Sequence, residues 1–274
     1  MCAQPAPPDR PAVLPDNTGR ATPEVPPRAP RSRITPIQWV GLAALLLLLL
    51  NQMGLLQLSN PTSALGLLNA QLPRFVGLVL AITVHEFSHG FVATLFGDSL
   101  PRRVGRLTLN PLKHLDPIGT LMILVGPIGW GRPMPINPAE MRNPNLGWAM
   151  SSLAGPVSNL LAATLVAALY AVLSGSLDPV VFRYVATYIL INVLLAVFNL
   201  IPIPPLDGFG FVFGLAPQPL KVLLLPLQRY GMFILLAMLF LPQLRPVMDT
   251  FIGTGLQLIL PPLEDVCGCS LRLA

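Results

Sequence analysis

A chain of 274 residues that is 53% hydrophobic and only 11% charged, with a mean hydropathy of +0.66, lies outside the range of ordinary soluble domains, which carry about 25% charged residues. Its net charge of +5 and pI of about 9.6 do not make it a nucleic-acid-binding module, because the basic residues flank apolar runs instead of interleaving with aromatics on a polar domain. The length accommodates about six membrane crossings with short connections and leaves no room for a further soluble domain of normal size.

In chain order, residues 1–36 read as a disordered, Pro/Arg-rich tail, too poor in aromatic and β-branched residues to bury surface. Its arginines (Arg10, Arg20, Arg28, Arg31, Arg33) precede the first apolar run and assign the tail to the cytoplasm by the positive-inside rule. A first span is expected over 37–57, running outward, then an external connection over 58–73 and a second span over 74–96 returning inward. The following loop carries Arg102, Arg103, Arg106 and Lys113, in agreement with a cytoplasmic position.

Residues 116–142 resist assignment to a spanning helix, because Gly126-Pro127-Ile128-Gly129-Trp130-Gly131-Arg132-Pro133 breaks the helical hydrogen-bond ladder. A re-entrant or β-hairpin-like segment near 117–135, lining a cavity, fits better, since irregular backbone at membrane depth must be shielded or face water. A third span (146–173) runs outward, 174–179 turn outside, and a fourth (180–203) runs inward to Pro202-Ile203-Pro204-Pro205-Leu206-Asp207-Gly208. Two further apolar stretches, 220–241 and 247–261, complete an even number of crossings and bring both termini to the cytoplasm.

The expected fold is therefore all-α: a polytopic membrane protein of about six helices, with a membrane-embedded domain over 37–262, a core over 74–208 and a short C-terminal tail over 263–274. Cys2, Cys267 and Cys269 lie at the chain ends and form no disulfide framework; the terminal pair reads as two incidental thiols, with a terminal metal or redox site as the alternative.

The second span contains His85-Glu86-Phe87-Ser88-His89, a match to His-Glu-x-x-His. The i, i+4 spacing stacks both imidazoles on one helix face, where they can converge on one tetrahedral Zn²⁺. Glu86 lies about 100° further round, close enough to hold a water without being a ligand. Zinc lowers the pKa of a bound water to about 7, and a carboxylate beside it can take that proton and return it to a leaving amine. Glu86 in the middle of a membrane span also needs a compensating cation. The third ligand is Asp207 or His114; Asp207 is preferred because the prolines before it interrupt the fourth span and Gly208 permits an unusual backbone angle.

These residues resemble the site-2 proteases, intramembrane zinc metalloproteases of peptidase family M50, in their compact prokaryotic branch. The resemblance rests on His85-Glu86-Phe87-Ser88-His89-Gly90-Phe91-Val92-Ala93, on Gly155-Pro156-Val157-Ser158-Asn159, and on Asn199-Leu200-Ile201-Pro202 leading to Leu206-Asp207-Gly208; Leu109-Asn110-Pro111-Leu112-Lys113-His114-Leu115-Asp116-Pro117 points to the compact branch. The resemblance implies one zinc per chain held by His85, His89 and Asp207, with Glu86 as base, in a water-accessible cavity toward the cytoplasmic face of a prokaryotic inner membrane. The implied partners are a transmembrane-helix protein substrate and the lipid bilayer, with no nucleic acid and no identified regulatory partner. Family members cleave membrane-spanning helices to release a regulator or clear a signal-peptide remnant.

Three accessory candidates follow. Asn159 can bond backbone of the substrate or of a neighbouring helix. Asn199 invites the same choice, or satisfies carbonyls freed where the fourth span breaks. His114 can assist an oxyanion, orient a ligand, or belong simply to a basic loop. An unwound stretch of substrate could add as a strand to an edge offered by 126–133. Two rival functions are a divalent-metal transporter or channel, which calls for polar residues along a continuous route, and a non-catalytic membrane scaffold, in which Glu86 is dispensable.

Overall fold

The computed structural model describes residues 61–120, 130–173 and 178–271. Seven α-helices are named: α1 (Pro61–Leu95), the single-turn α2 (Leu100–Arg103), α3 (Pro144–Val172), α4 (Pro179–Asn199), α5 (Asp207–Leu215), α6 (Gln218–Phe240) and α7 (Arg245–Cys267). Two 3₁₀ turns, Pro111–Lys113 and Pro138–Glu140, punctuate the connection between α2 and α3. No strand occurs among the described residues; one antiparallel bridge joins Leu115 to Gly131.

Four stretches are long and apolar enough to cross a membrane: Gln71–Leu95, Pro144–Val172, Pro179–Asn199 and Gln218–Leu239. They correspond to the second to fifth expected spans. The first, 37–57, lies outside the described residues, as do 121–129 of the segment expected to be re-entrant or hairpin-like. The stretch expected as a sixth span is the helix α7, but it is not among the four; it carries Arg245, Asp249, Glu264 and Asp265.

The beginnings of α3 and α4 are written locally. Asn143 caps α3 by accepting from Leu146 N at 3.2 Å, and Asp178 caps α4 by accepting from Val180 N at 2.7 Å. In each case a proline follows at the first helical position, where a missing N–H does no harm. The apolar faces then sort by depth. Leu161, Leu165, Leu169 and Val172 are exposed along one side of α3, an apolar stripe, whereas Ala163 and Ala167 are fully buried on the other.

α1, α3 and α4 pack on one another, α5 lies against α3, and α7 covers α3 and α4. Small residues set the close spacing: Ala81, Ala93, Ala149, Ala163 and Ala167 are all fully buried, as expected where helices in lipid associate by packing. One buried cluster joins Ala163, Ala167, Ile189, Val193, Val197, Leu263 and Cys267 across α3, α4 and α7, together with Leu271 just beyond α7.

The structure departs locally from the sequence expectation in three places. Residues 61–73, expected as an external connection, belong to α1, and the helix runs on through the buried Pro73. The fourth span ends at Asn199, before its prolines, and the turn over 200–206 contains a cis Pro204-Pro205 bond. Finally, Cys267 and Cys269 form a disulfide instead of standing as free thiols; Gly268, in the left-handed region at φ +62°, turns the chain so that the two sulfurs meet.

Candidate metal centre

α1 carries His85, Glu86 and His89 within its membrane-spanning stretch, and the two histidines are buried. Their rings meet edge to face, 4.5 Å apart. The hydroxyls of Thr83, Ser88 and Thr94 donate to carbonyls one turn back, so these polar residues of α1 are satisfied within the helix itself.

Two further segments bring partners to these rings. The turn over 200–206 starts α5 at Asp207, whose Oδ2 lies 3.0 Å from His85 Nε2 and 3.4 Å from His89 Nε2. α3 contributes Gly155, where a Cβ would overlap both imidazoles, and Asn159 and the Ser151 carbonyl, each 2.6 Å from a histidine Nδ1. Asn159 Oδ1 faces His85 and the Ser151 oxygen faces His89.

This donor pattern fits a cation. With Nδ1–H of each ring engaged by an oxygen, both Nε2 atoms carry lone pairs. Asp207 Oδ2 is buried and receives no hydrogen bond. With both rings neutral, three lone-pair atoms converge, an arrangement unfavourable on its own and relieved by a metal ion. One ligand atom from each of His85, His89 and Asp207 lies within 4.8 Å of the others. Ligands about 2.0–2.1 Å from a tetrahedral zinc stand about 3.3 Å apart, close to the Nε2–Oδ2 separations.

Glu86 is fixed from the other side. The segment after Trp130 comes up to α1, and Met134 N donates to Glu86 Oε2 at 2.6 Å. Gly131 permits that approach, since a Cβ there would stand 2.6 Å from Ile82 Cγ2. The buried Arg106 clamps the same segment by donating to the carbonyls of Arg132 (2.6 Å) and Pro133 (3.3 Å). Further along, the fully buried Asp98 accepts from Leu100 N at 2.8 Å and Asn137 N at 2.7 Å, tying the segment to the end of α1.

The other candidates are placed as follows. His114 is fully buried and donates from Nε2 to the Thr108 carbonyl at 2.6 Å; it is not part of the cluster of possible metal ligands. Asn199 donates to Leu195 O, one turn back in its own helix, at 2.9 Å. Asn159 bonds neighbouring helices: beyond His85, its amide donates to Ala81 O at 3.2 Å and to Asn192 Oδ1 at 2.8 Å. Gly208 has no positive φ; its role is close approach, since a Cβ would overlap the Leu200 and Ile201 carbonyls. Asn192, Arg106 and the Met134 amide stand outside the sequence motif. Only Asn192 leaves a signal, as a lone amide in Ile189-Leu190-Ile191-Asn192-Val193-Leu194.

Comparison with curated proteins finds bacterial relatives over most of this region. "Putative zinc metalloprotease YwhC" of Bacillus subtilis (strain 168) is 37% identical over 196 residues, covering 68% of this chain and 88% of its own length. "Putative zinc metalloprotease Rip2" of Mycolicibacterium smegmatis is 32% identical over 180 residues (62% and 67%), and that of Mycobacterium tuberculosis H37Rv 31% over 205 (72% and 75%). No protein-family model and no solved structure matches the chain. The metal for which the His–His–Asp donor set is suited is, on these relatives, Zn²⁺.

Proposed function

Because the chain belongs to the zinc metalloprotease family of these relatives, we propose that it is an intramembrane protease of the site-2 type, hydrolysing peptide bonds within or beside membrane-spanning segments of other proteins. The observation that carries this reading is the position of His85, Glu86 and His89 inside Gln71–Leu95, a stretch long and apolar enough to span a bilayer. A protease acting on soluble chains has no need to hold its centre at that depth.

When bound, zinc lowers the pKa of a coordinated water to about 7 and polarises a carbonyl. His85, His89 and Asp207 would hold it. Glu86 is the general base: Oε2 is anchored by the Met134 amide, so the carboxylate is held in one orientation, and it accepts the attacking water's proton and delivers it to the leaving amine. An unwound substrate stretch can pair as an added strand with the edge offered by 126–133, whose described part carries the antiparallel bridge at Gly131, and so satisfy its own backbone in the absence of water.

The catalytic core extends over 74–208 within a membrane domain of 37–262, flanked by tails of 1–36 and 263–274. The arginine-bearing loop after α1 and the N-terminal tail lie on the cytoplasmic side and carry the site toward that face. For the C-terminus to share that side, α7 must cross as well.

The test compares membrane proteomes of cells carrying the wild-type chain and Glu86→Gln. The amide keeps the volume and cannot accept a proton, so truncated membrane-anchored fragments should vanish while purified variant protein retains its zinc. Equal fragment patterns in the two strains would refute the assignment.

A further inference from the structure

Asn192 is fully buried in α4, among aliphatic residues, and touches no metal ligand. We propose that it is a positioning residue for the zinc site: through Asn159 it holds His85 in the tautomer whose Nε2 lone pair faces the metal. The proposal rests on His85 being a zinc ligand, as read above.

The direction of every link follows from groups that can only accept. Asn192 Nδ2 donates to the Tyr188 carbonyl at 2.8 Å, which turns Asn192 Oδ1 the other way. That oxygen receives Asn159 Nδ2 at 2.8 Å, and the same nitrogen donates to the Ala81 carbonyl at 3.2 Å. Two acceptors on one side hold the Asn159 amide with its Oδ1 toward His85. An amide oxygen has no proton to give, so His85 Nδ1, 2.6 Å away, must be the donor. A neutral imidazole has one N–H, and Nε2 is left as a lone pair 3.0 Å from Asp207 Oδ2.

His89 reaches the same tautomer through one backbone carbonyl, that of Ser151, which cannot flip. Asn159 can. An amide rotated by 180° has nearly the same shape but presents NH₂ to His85, and the favoured tautomer then carries its proton on Nε2 and cannot ligate. Without Asn192, only the longer bond to Ala81 opposes that rotation.

The experiment measures zinc affinity of the full-length protein in detergent by competition with a chelator. Asn192→Leu should weaken binding about tenfold, at the low end of the range for residues that orient metal ligands. Asn192→Asp should restore it, because a carboxyl oxygen accepts from Asn159 in either protonation state. Asn159→Ala should weaken binding as well, and combining it with Asn192→Leu should add nothing further, since the two residues act in series. Unchanged affinity in Asn192→Leu, no rescue by Asp, or additive losses would each overturn the proposal.

Should Asn192→Leu fail to fold, Asn192→Ala takes its place: it removes the same amide oxygen without adding volume, its zinc affinity should fall to the same extent, and wild-type affinity refutes the relay. These readouts need no substrate, so a protein that binds zinc as described yet cleaves nothing would count against proteolysis alone.

Discussion

Gly155 on α3 is where the metal centre is least tolerant of added volume. A methyl group at Gly155 would stand 2.5 Å from His89 Cε1 and 2.7 Å from His85 Cε1, whereas carbon atoms in contact sit about 3.5–4.0 Å apart. Each ring would have to retreat by roughly 1 Å, while metal–ligand distances tolerate about 0.2 Å. Overpacking of this kind costs about 1–3 kcal/mol. At about 1.4 kcal/mol per decade, Gly155→Ala should weaken zinc binding roughly 5- to 150-fold. Chelator competition on purified protein measures this directly. Gly253→Ala in α7 is the control: no atom lies within 4 Å of its added methyl, so zinc affinity should not change, and helix stability should rise by about 0.4–1 kcal/mol. Wild-type zinc affinity in Gly155→Ala would refute the view that this glycine makes room for the two imidazoles.

Asp207→Ala should lose zinc and activity together, because two imidazoles hold the ion far more weakly than three protein ligands, whereas His114→Ala should keep its metal; metal analysis of both variants separates the two, and full occupancy in Asp207→Ala would remove it from the ligand set. In the loop, Arg103 first, then Ser99 and Asn137, hold the Glu140 carboxyl down to about 2 from its ordinary 4.5. A carboxyl whose pKa is lower in the folded state contributes stability above its unfolded value and loses it as pH falls toward the folded one. Thermal melts should therefore show an acid-side loss between pH 4.5 and 2 that Glu140→Gln flattens, and an unchanged slope in that variant would exclude the clamp as its source.

Much of the site is legible because it is local. The stacking of His85 on His89, with Glu86 to one side, follows from helical spacing alone. Span lengths follow from runs of apolar residues for the same reason. Where the reading depends on what lies opposite, it weakens. Pro73 reads as a break, yet it is buried within α1, and Gly208 reads as a residue of unusual backbone angle, yet its φ is not positive and it serves to let two carbonyls approach. Lower hydropathy separates α7 from the helices apolar enough to span, because Asp249, Gln257 and its prolines, glycines and threonines interrupt an aliphatic run that otherwise resembles theirs.

The sequence by itself determined that two imidazoles and a carboxylate share one turn region of a membrane helix, since intrahelical hydrogen bonds set 1.5 Å of rise per residue whatever surrounds them. Only the tertiary structure decided that Asp207 and not His114 faces those rings, that Asn159 turns to His85, and that Asn192 stands behind it. Those choices depend on how α1, α3 and α4 pack and where the turn over 200–206 ends. Interhelical distance and rotation are set by many small side chains acting together, and no short stretch of sequence encodes them.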